Sequence, residues 1–341
     1  MNRIPTIAKR LTLLLLKFFQ WSVVLILFFW SVGALYHFVP FPRWLSVSLS
    51  SSYLAAAVYW FFRIQSRSIW LQRIAATVVA IYLLTLIQQP SNSRDWAPDN
   101  AVMPSVTVSG NDVHIKGFRH NLYRSESDFD VQYRDFDFSL PQLDQVWFVV
   151  QRFTALEGIA HNFLTFRVTT EDGPQYFSVS VEIRREQGEA FSPVRGLYRQ
   201  YELIYVIADE RDQIGTRTVF RPADRVFMYP VNATLEQVQA LFLDIVARVQ
   251  KLREYPEFYH SLANNCTNNI VDHAYKFTPL PISSLDPRIL APGFADRLGF
   301  AKGLIGDNGE SFDAMQQRCR IDKIARRVGI TDRFSTDIRA P

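Results

Sequence analysis

The stretch HNFLTFRVTTEDGPQYFSVSVEI, residues 161–183, decides the fold of the larger part of this chain. In its second half, apolar residues occupy every second position and alternate with serine and glutamate, the two-residue period of a half-buried strand. The first half has apolar residues at 164, 166 and 168, and the turn-forming run TTEDGP separates the halves. The pattern therefore predicts a β-hairpin with one buried face.

The register of this hairpin determines what lies beside its histidine. If Val168 pairs with Gln175, then His161 lies opposite Glu182, whereas a slip of two residues places Ser180 there. A slip of one residue is excluded because it would mix the apolar and polar faces. A carboxylate or hydroxyl beside an imidazole fixes its tautomer and stabilises its cation. Either Glu182 or Ser180 is thus a potential partner of His161.

Further strands and two helices surround the hairpin. Short runs rich in β-branched and aromatic residues predict strands: VTVS (106–109), DVHIKGF (112–118), LIYVIA (203–208) and RVFMYPV (225–231). Thr234 and Gln237 form a predicted capping box, and the helix that follows should end near Glu254, before Tyr255 and a proline. A second helix is predicted from Cys266. The fold class is therefore α+β, an antiparallel sheet packed on helices.

The first ninety residues are much more apolar than the rest and predict a membrane anchor. Residues 11–36, 44–62 and 69–87 each approach the roughly 20 apolar residues that a transmembrane helix needs. The second segment is the weakest because its first half is rich in serine. The first apolar run is longer than that of a secretory signal peptide, which favours an uncleaved anchor. We expect an anchor over residues 1–90, a linker over 91–104 and an extracytoplasmic domain over 105–341.

Basic residues give the orientation. They precede the first span and lie between the second and third: Arg3, Lys9, Arg10, Arg63 and Arg67. The loop between the first two spans carries only Arg43. Because cytoplasmic loops are enriched in lysine and arginine, the N-terminus is predicted in the cytoplasm and the domain in the periplasm of a bacterial inner membrane.

Composition excludes one class of partner. The formal net charge of the 341-residue chain is only +4, and basic and acidic residues are mixed along the soluble part, so no nucleic-acid partner is predicted. Two cysteines occur, Cys266 and Cys319. A disulfide between them is one alternative for an extracytoplasmic domain.

Cys266 has a more specific potential role. A thiol at a helix N-terminus faces the positive end of the helix dipole, which favours the thiolate, and free N–H groups there can bind an oxyanion. With His161 as base, the pair has the elements of nucleophilic catalysis. On sequence alone His120, His260 and His273 could equally serve as the base. The group of Cys266, Asp272 and His273 lacks recognised zinc-ligand spacing, so no metal or other cofactor is predicted.

Five stretches resemble the bacterial inner-membrane family of Lnb-type lipoprotein N-acyltransferases. They are AHNFLTF (160–166), SVSVEIRREQGE (178–189), YRQYELIYVIADERD (198–212), PEFYHSLANNCTNNI (256–270) and APGFADRL (291–298). The order of histidine and cysteine also resembles the permuted NlpC-type fold, related to papain, of the lecithin:retinol acyltransferase group. The resemblance implies Cys266 as nucleophile, His161 as base and Glu182 or Ser180 as the third member. Within the same stretches Asn265, Tyr259 and Arg184 are candidates for substrate binding.

This resemblance implies phospholipid-dependent acyl transfer. The acyl group would pass from a membrane phospholipid, through a thioester on Cys266, to the N-terminal amine of a diacylglyceryl-modified lipoprotein. One alternative is a periplasmic cysteine peptidase or amidase of the same fold that acts on the cell wall. Another is a non-catalytic scaffold in which Cys266 and Cys319 form a disulfide.

Overall fold

The computed structural model describes residues 4–38, 40–153, 156–277, 286–306 and 309–339. The chain divides into two compact units. The first comprises Met1–Pro90 with Pro193–Gln200, and the second comprises Ser91–Ser192 with Tyr201–Pro341.

Three apolar helices form most of the first unit: α1 (Ile4–Tyr36), α2 (Arg43–Arg63) and α3 (Arg67–Thr85). Each is long and apolar enough to cross a membrane. Trp70 of α3 stacks on Trp21 of α1 with 5.3 Å between ring centroids, and its Nε1 donates to the Ala57 carbonyl of α2 at 3.1 Å. A tryptophan with its N–H bonded in this way contributes apolar area without a buried unpaired donor.

The serine side chains of α2 show how a serine-rich segment can form a membrane-spanning helix. Ser48 Oγ donates to the Trp44 carbonyl at 2.8 Å, and Ser50 Oγ donates to the Val47 carbonyl at 3.0 Å. Because these hydroxyl groups bond the helix's own backbone, they need no water or neighbouring helix to satisfy them.

A mixed sheet is the centre of the second unit. Its strands and a small separate hairpin are β1 (Ser105–Ser109), β2 (Asp112–Arg119), β3 (Leu122–Tyr123), β4 (Phe129–Asp130), β5 (Tyr133–Ser139), β6 (Leu143–Arg152), β7 (Ala160–Thr170), β8 (Gly173–Arg184), β9 (Glu202–Asp209) and β10 (Arg225–Pro230). The order is β1-β2-β9-β8-β7-β6-β10, with β5 also on β2, and β3 pairs with β4. All neighbours are antiparallel except β2 and β9, so the predicted antiparallel sheet has one parallel junction.

The hairpin of β7 and β8 has the first predicted register, with Val168 opposite Gln175. The ladder between the two strands ends at Phe163 opposite Ser180, although β7 begins at Ala160. His161 therefore lies just beyond the last pair of the β7–β8 ladder.

The helices of the second unit are α4 (Glu210–Thr218), α5 (Leu235–Glu254), α6 (Cys266–Tyr275), α7 (Pro287–Leu290), α8 (Ala295–Ala301), α9 (Phe312–Arg318), α10 (Asp322–Val328) and α11 (Phe334–Asp337). The predicted capping box of α5 is present, with the Thr234 N–H donating to Gln237 Oε1 at 2.9 Å. Both α5 and α6 begin near the predicted positions.

The two faces of the sheet pack against different helices. On one face, Phe166 and Phe177 of the hairpin contact Phe242 of α5 in the largest apolar cluster, which also contains Cys266. On the other face, Phe163 belongs to a cluster that includes residues of α4, α10 and α11. Because side chains alternate along a strand, His161 shares the face of Phe163, and Asn162 faces the side of α6.

Candidate active site

The nucleophile candidate Cys266 is the first residue of α6, and its position is fixed by the cap. Asn265 is the N-cap: its Oδ1 accepts from the Asn268 N–H at 2.9 Å, and its Nδ2 donates to the Ser261 carbonyl at 2.8 Å. Such a cap satisfies orphan donors of the first turn. Asn265, predicted to bind substrate, therefore uses its side chain to hold the loop and helix that present the thiol.

Asn162, which directly follows His161, connects β7 to α6. Its Nδ2 donates to Thr267 Oγ1 at 2.9 Å, so a hydrogen bond joins the residues next to His161 and Cys266. Beyond the end of the β7–β8 ladder, its backbone N–H faces the Cys266 thiol. Burial raises the pKa of Cys266, and this N–H opposes the rise only partly. The thiol is therefore protonated at neutral pH until a base acts on it.

Both predicted partners of His161 lie close to the same nitrogen of its imidazole ring. Its Nε2 lies 2.7 Å from Ser180 Oγ and 3.8 Å from Glu182 Oε1. Its Nδ1 has no hydrogen-bond partner among the residues that the structure describes. Ser180 is thus the direct partner of the imidazole, and a proton on Nε2 would leave the Nδ1 lone pair available for a thiol proton.

Glu182 is bound mainly by α4. Arg217 Nη2 and Gln213 Nε2 lie 2.7 and 2.8 Å from Glu182 Oε1. Burial alone would raise the pKa of Glu182, but the charges of Arg217 and Arg119 hold the pKa well below its usual range. Glu182 is therefore an ionised partner of Arg217 that also faces His161. Arg217 and Gln213 were not predicted as site residues, because they lie in a polar segment without apolar periodicity.

Burial and the nearby charge of Arg217 also act on the imidazole. Together they lower the pKa of His161 to about 3. A neutral imidazole and a protonated thiol, both lining one cavity, form an uncharged resting state. It can act as general base during attack, because Nδ1 is free to take the thiol proton as the sulfur forms its new bond.

One cavity of about 900 Å³ joins these groups: His161, Glu182 and Cys266 all line it. Its size lies in the range of small-molecule sites. Much of its wall is apolar and aromatic, contributed by Tyr123, Phe129, Phe153, Phe191, Phe220 and Tyr259. The cavity can therefore receive an apolar group next to a thiol and an imidazole.

The two remaining predicted substrate-binding residues lie in different places. Tyr259 lines the cavity, and its pKa is raised well above the ordinary value by burial, so it stays a neutral phenol. Arg184 is instead bound to the segment that precedes the sheet: its Nη2 donates to the Ala101 carbonyl at 2.7 Å, and its guanidinium lies 4.2 Å from the Trp96 ring centroid. Its side chain fixes this segment and is not among the described residues that line the cavity.

The other histidines considered as bases have different surroundings. Both ring nitrogens of His273 are occupied, Nδ1 by Asp244 and Nε2 by the Tyr205 hydroxyl, each at 2.7 Å. Neither His120 nor His260 is among the described residues that line the cavity. Among the described histidines, His161 is therefore the one that lines the cavity with Cys266.

The two cysteines are separate. Neither Cys266 nor Cys319 is in a disulfide; both are buried, and they belong to different apolar clusters. The disulfide that the scaffold hypothesis requires is not present.

Fold and site together define a membrane protein whose α+β domain holds a cysteine and a histidine in one cavity. Residues 130–292 match the family of the Lnb N-terminal periplasmic domain. This match confirms the resemblance predicted from the sequence: the chain carries a domain of the Lnb family and is a membrane protein with a periplasmic domain. The matched segment contains both His161 and Cys266. No curated protein and no solved structure matches the chain.

Proposed function

We propose that the protein is a membrane-anchored thiol acyltransferase, which moves a fatty acyl group from a phospholipid to the N-terminal amine of a lipoprotein. The observation that carries this proposal is that Cys266 and His161 line the same cavity. Ser180 is hydrogen-bonded to Nε2 of the imidazole, which leaves Nδ1 available to take a proton. The Lnb family match supports it.

In the first half-reaction the Cys266 sulfur attacks an ester carbonyl of the phospholipid. His161 Nδ1 takes the thiol proton as the S–C bond forms, and returns it to the departing alcohol oxygen as the ester C–O bond breaks. A lysophospholipid leaves, and a thioester remains on Cys266. The N–H groups of Cys266 and Thr267, which the Asn265 cap does not occupy, are suited to stabilise the oxyanion that develops on the carbonyl oxygen.

In the second half-reaction the α-amine of an S-diacylglyceryl cysteine attacks the thioester. Donor and acceptor are both held in the membrane by their acyl chains. A membrane anchor keeps the enzyme on the same surface, and the proposed orientation, with a cytoplasmic N-terminus, gives the domain access to the outer leaflet of the inner membrane.

Replacement of the nucleophile tests the proposal. Cys266→Ala should be expressed but should not N-acylate lipoproteins in cells depleted of other N-acyltransferases. Cys319→Ala is the matched control, because Cys319 is an equally buried cysteine outside any disulfide and belongs to another cluster. The readout is the intact mass of lipoprotein N-terminal peptides. Full N-acylation by Cys266→Ala would contradict the proposal.

The mass of the trapped enzyme separates acyl transfer from the peptidase alternative. A fatty-acyl mass on Cys266 after incubation with phospholipid vesicles is the expected result. A peptidyl adduct on Cys266 after incubation with cell-wall peptides would instead favour the peptidase or amidase.

A further inference from the structure

A buried glutamine lies beside the imidazole on the neighbouring strand. Gln151 of β6 is the register partner of His161, so the two side chains project from the same face, about 5 Å apart at Cβ. Gln151 is fully buried and lines the cavity. Gln151 was not among the predicted site residues, and it takes no part in the proposed acylation of Cys266.

The amide orientation of Gln151 is determined by its neighbour Asp224. Gln151 Nε2 donates to Asp224 Oδ2 at 2.6 Å. Only the NH₂ end of an amide can face a carboxylate, so the carbonyl oxygen Oε1 must point the other way. This oxygen is buried and has no hydrogen-bond partner among the residues that the structure describes. A buried acceptor in this state favours a ligand that brings a donor.

Asp224 also differs from the other acids of the cavity. Three carboxylates that line the cavity are paired with arginines: Asp99 with Arg185, Glu126 with Arg221 and Glu182 with Arg217. Asp224 lines the same cavity and is only 8% exposed, yet no cation of the described residues forms a salt bridge with it. Buried carboxylates are usually paired, so this one is suited to a positively charged ligand.

We infer that Gln151 and Asp224 form the subsite for the acceptor amine. The inference rests on the proposed function and deepens it: the subsite would take a primary amine, with its N–H groups donating to Gln151 Oε1 and to the Asp224 carboxylate. An ammonium group supplies the positive partner that Asp224 does not find among the described residues, whereas water carries no charge. The subsite therefore accounts for transfer to an amine in preference to hydrolysis.

The position of the subsite suits the second half-reaction. The amine binds beside His161, loses any extra proton to solvent and attacks the thioester carbonyl. The N–C bond forms and the C–S bond breaks, and a proton of the amine passes through His161 to the departing Cys266 sulfur. The products are the amide and the free thiol, so no further reactant is needed.

The test uses the full-length protein in phospholipid vesicles with two acceptors, a synthetic S-diacylglyceryl-cysteinyl peptide and its α-hydroxy analogue. Asp224→Asn and Gln151→Met should each raise the KM for the peptide amine about tenfold or more, because the first removes the negative charge and the second removes the oxygen acceptor that would bind the ligand. The preference for amine over hydroxyl acceptor should fall by a similar factor. Asp172→Asn, in the exposed turn between β7 and β8, is the charge-matched control.

A measurement on the wild-type protein keeps the test independent of folding. Its preference for amine over hydroxyl should exceed that of a free acyl thioester in solution with the same two acceptors, and equal preferences would overturn the subsite. An unchanged KM for the amine in both variants would overturn it as well. The proposed function fails differently: no acyl mass would appear on Cys266 of the wild-type protein in the absence of any acceptor.

Discussion

At the scale of single residues, two distances separate the roles of Ser180 and Glu182. Ser180 Oγ is 2.7 Å from His161 Nε2, and Glu182 Oε1 is 3.8 Å away and bound to Arg217. Ser180→Ala should therefore lower kcat about tenfold or more, since it removes the bond that orients the base. Glu182→Gln should mainly lower the free energy of unfolding, by about 3–5 kcal/mol, because it leaves the Arg217 charge buried without its partner.

The two variants are compared by the rate of lysophospholipid release and by the midpoint of denaturant unfolding. Ser180→Ala should retain most of the wild-type stability, because it loses one hydrogen bond worth about 1 kcal/mol. A Ser180→Ala protein with the wild-type kcat, beside a stable but inactive Glu182→Gln protein, would assign the orienting role to Glu182.

The sequence predicted both partners of His161 but could not rank them. Alternation of apolar residues fixes the hairpin register, and register alone places Glu182 opposite His161. The actual contact depends on the end of the β7–β8 ladder at Phe163 and on Arg217, which draws Glu182 toward α4. Neither of these features has a local sequence signal.

At the scale of elements, the connection between β7 and α6 sets the geometry of the site. Thr267→Val removes the hydroxyl that accepts from Asn162 Nδ2 at 2.9 Å and keeps the shape of the side chain. We expect a stability loss of about 1 kcal/mol. The rate of Cys266 acylation should fall further, about tenfold or more, because small displacements of a nucleophile are costly.

Thr218→Val is the matched control for this prediction. Thr218 is as buried as Thr267, and its hydroxyl donates to the Ile214 carbonyl within α4, outside the residues that line the cavity. It should lose comparable stability and keep the acylation rate. Equal rate losses in both variants, measured by the acyl mass on Cys266 over time, would contradict the positioning role of the Asn162–Thr267 bond.

Elements with a simple periodicity were predictable, and those without one were not. The hairpin alternates cleanly, and α5 has both a capping box and a buried apolar stripe. By contrast, α4 has the polar sequence ERDQIGTRT, yet most of it is buried, and it is held by ion pairs such as Asp212 with Arg119 at 2.8 Å. Long-range charge pairing of this kind leaves no local sequence pattern, so Arg217 and Gln213 could not be predicted as site residues.

The same limit applies to β6. Its sequence LDQVWFVVQR is buried on both faces near its end, and therefore lacks the alternation that marks a half-buried strand. Gln151 lies at this end. Its relation to His161 becomes visible only when β6 and β7 are paired, which explains why the proposed amine subsite could not be found from the sequence.

At the scale of the whole molecule, the chemistry requires the domain and the lipid substrates to be on one side of the membrane. The match of residues 130–292 to the Lnb N-terminal periplasmic domain supports a periplasmic location of the domain. The distribution of arginine and lysine predicts that the N-terminus and the loop between α2 and α3 are cytoplasmic. Two exposed positions report on these sides: Glu171 in the β7–β8 turn and Gln65 between α2 and α3.

Single cysteines at these positions test the orientation in a protein with Cys266→Ala and Cys319→Ala. In intact spheroplasts a membrane-impermeant maleimide should label Glu171→Cys, because the turn lies outside the cytoplasm. It should label Gln65→Cys only after the membrane is permeabilised, which also shows that the introduced thiol is reactive. The opposite labelling pattern would place the domain in the cytoplasm, where lipoproteins at the outer leaflet are out of reach, and would exclude the proposed acceptor even if Cys266 formed a thioester.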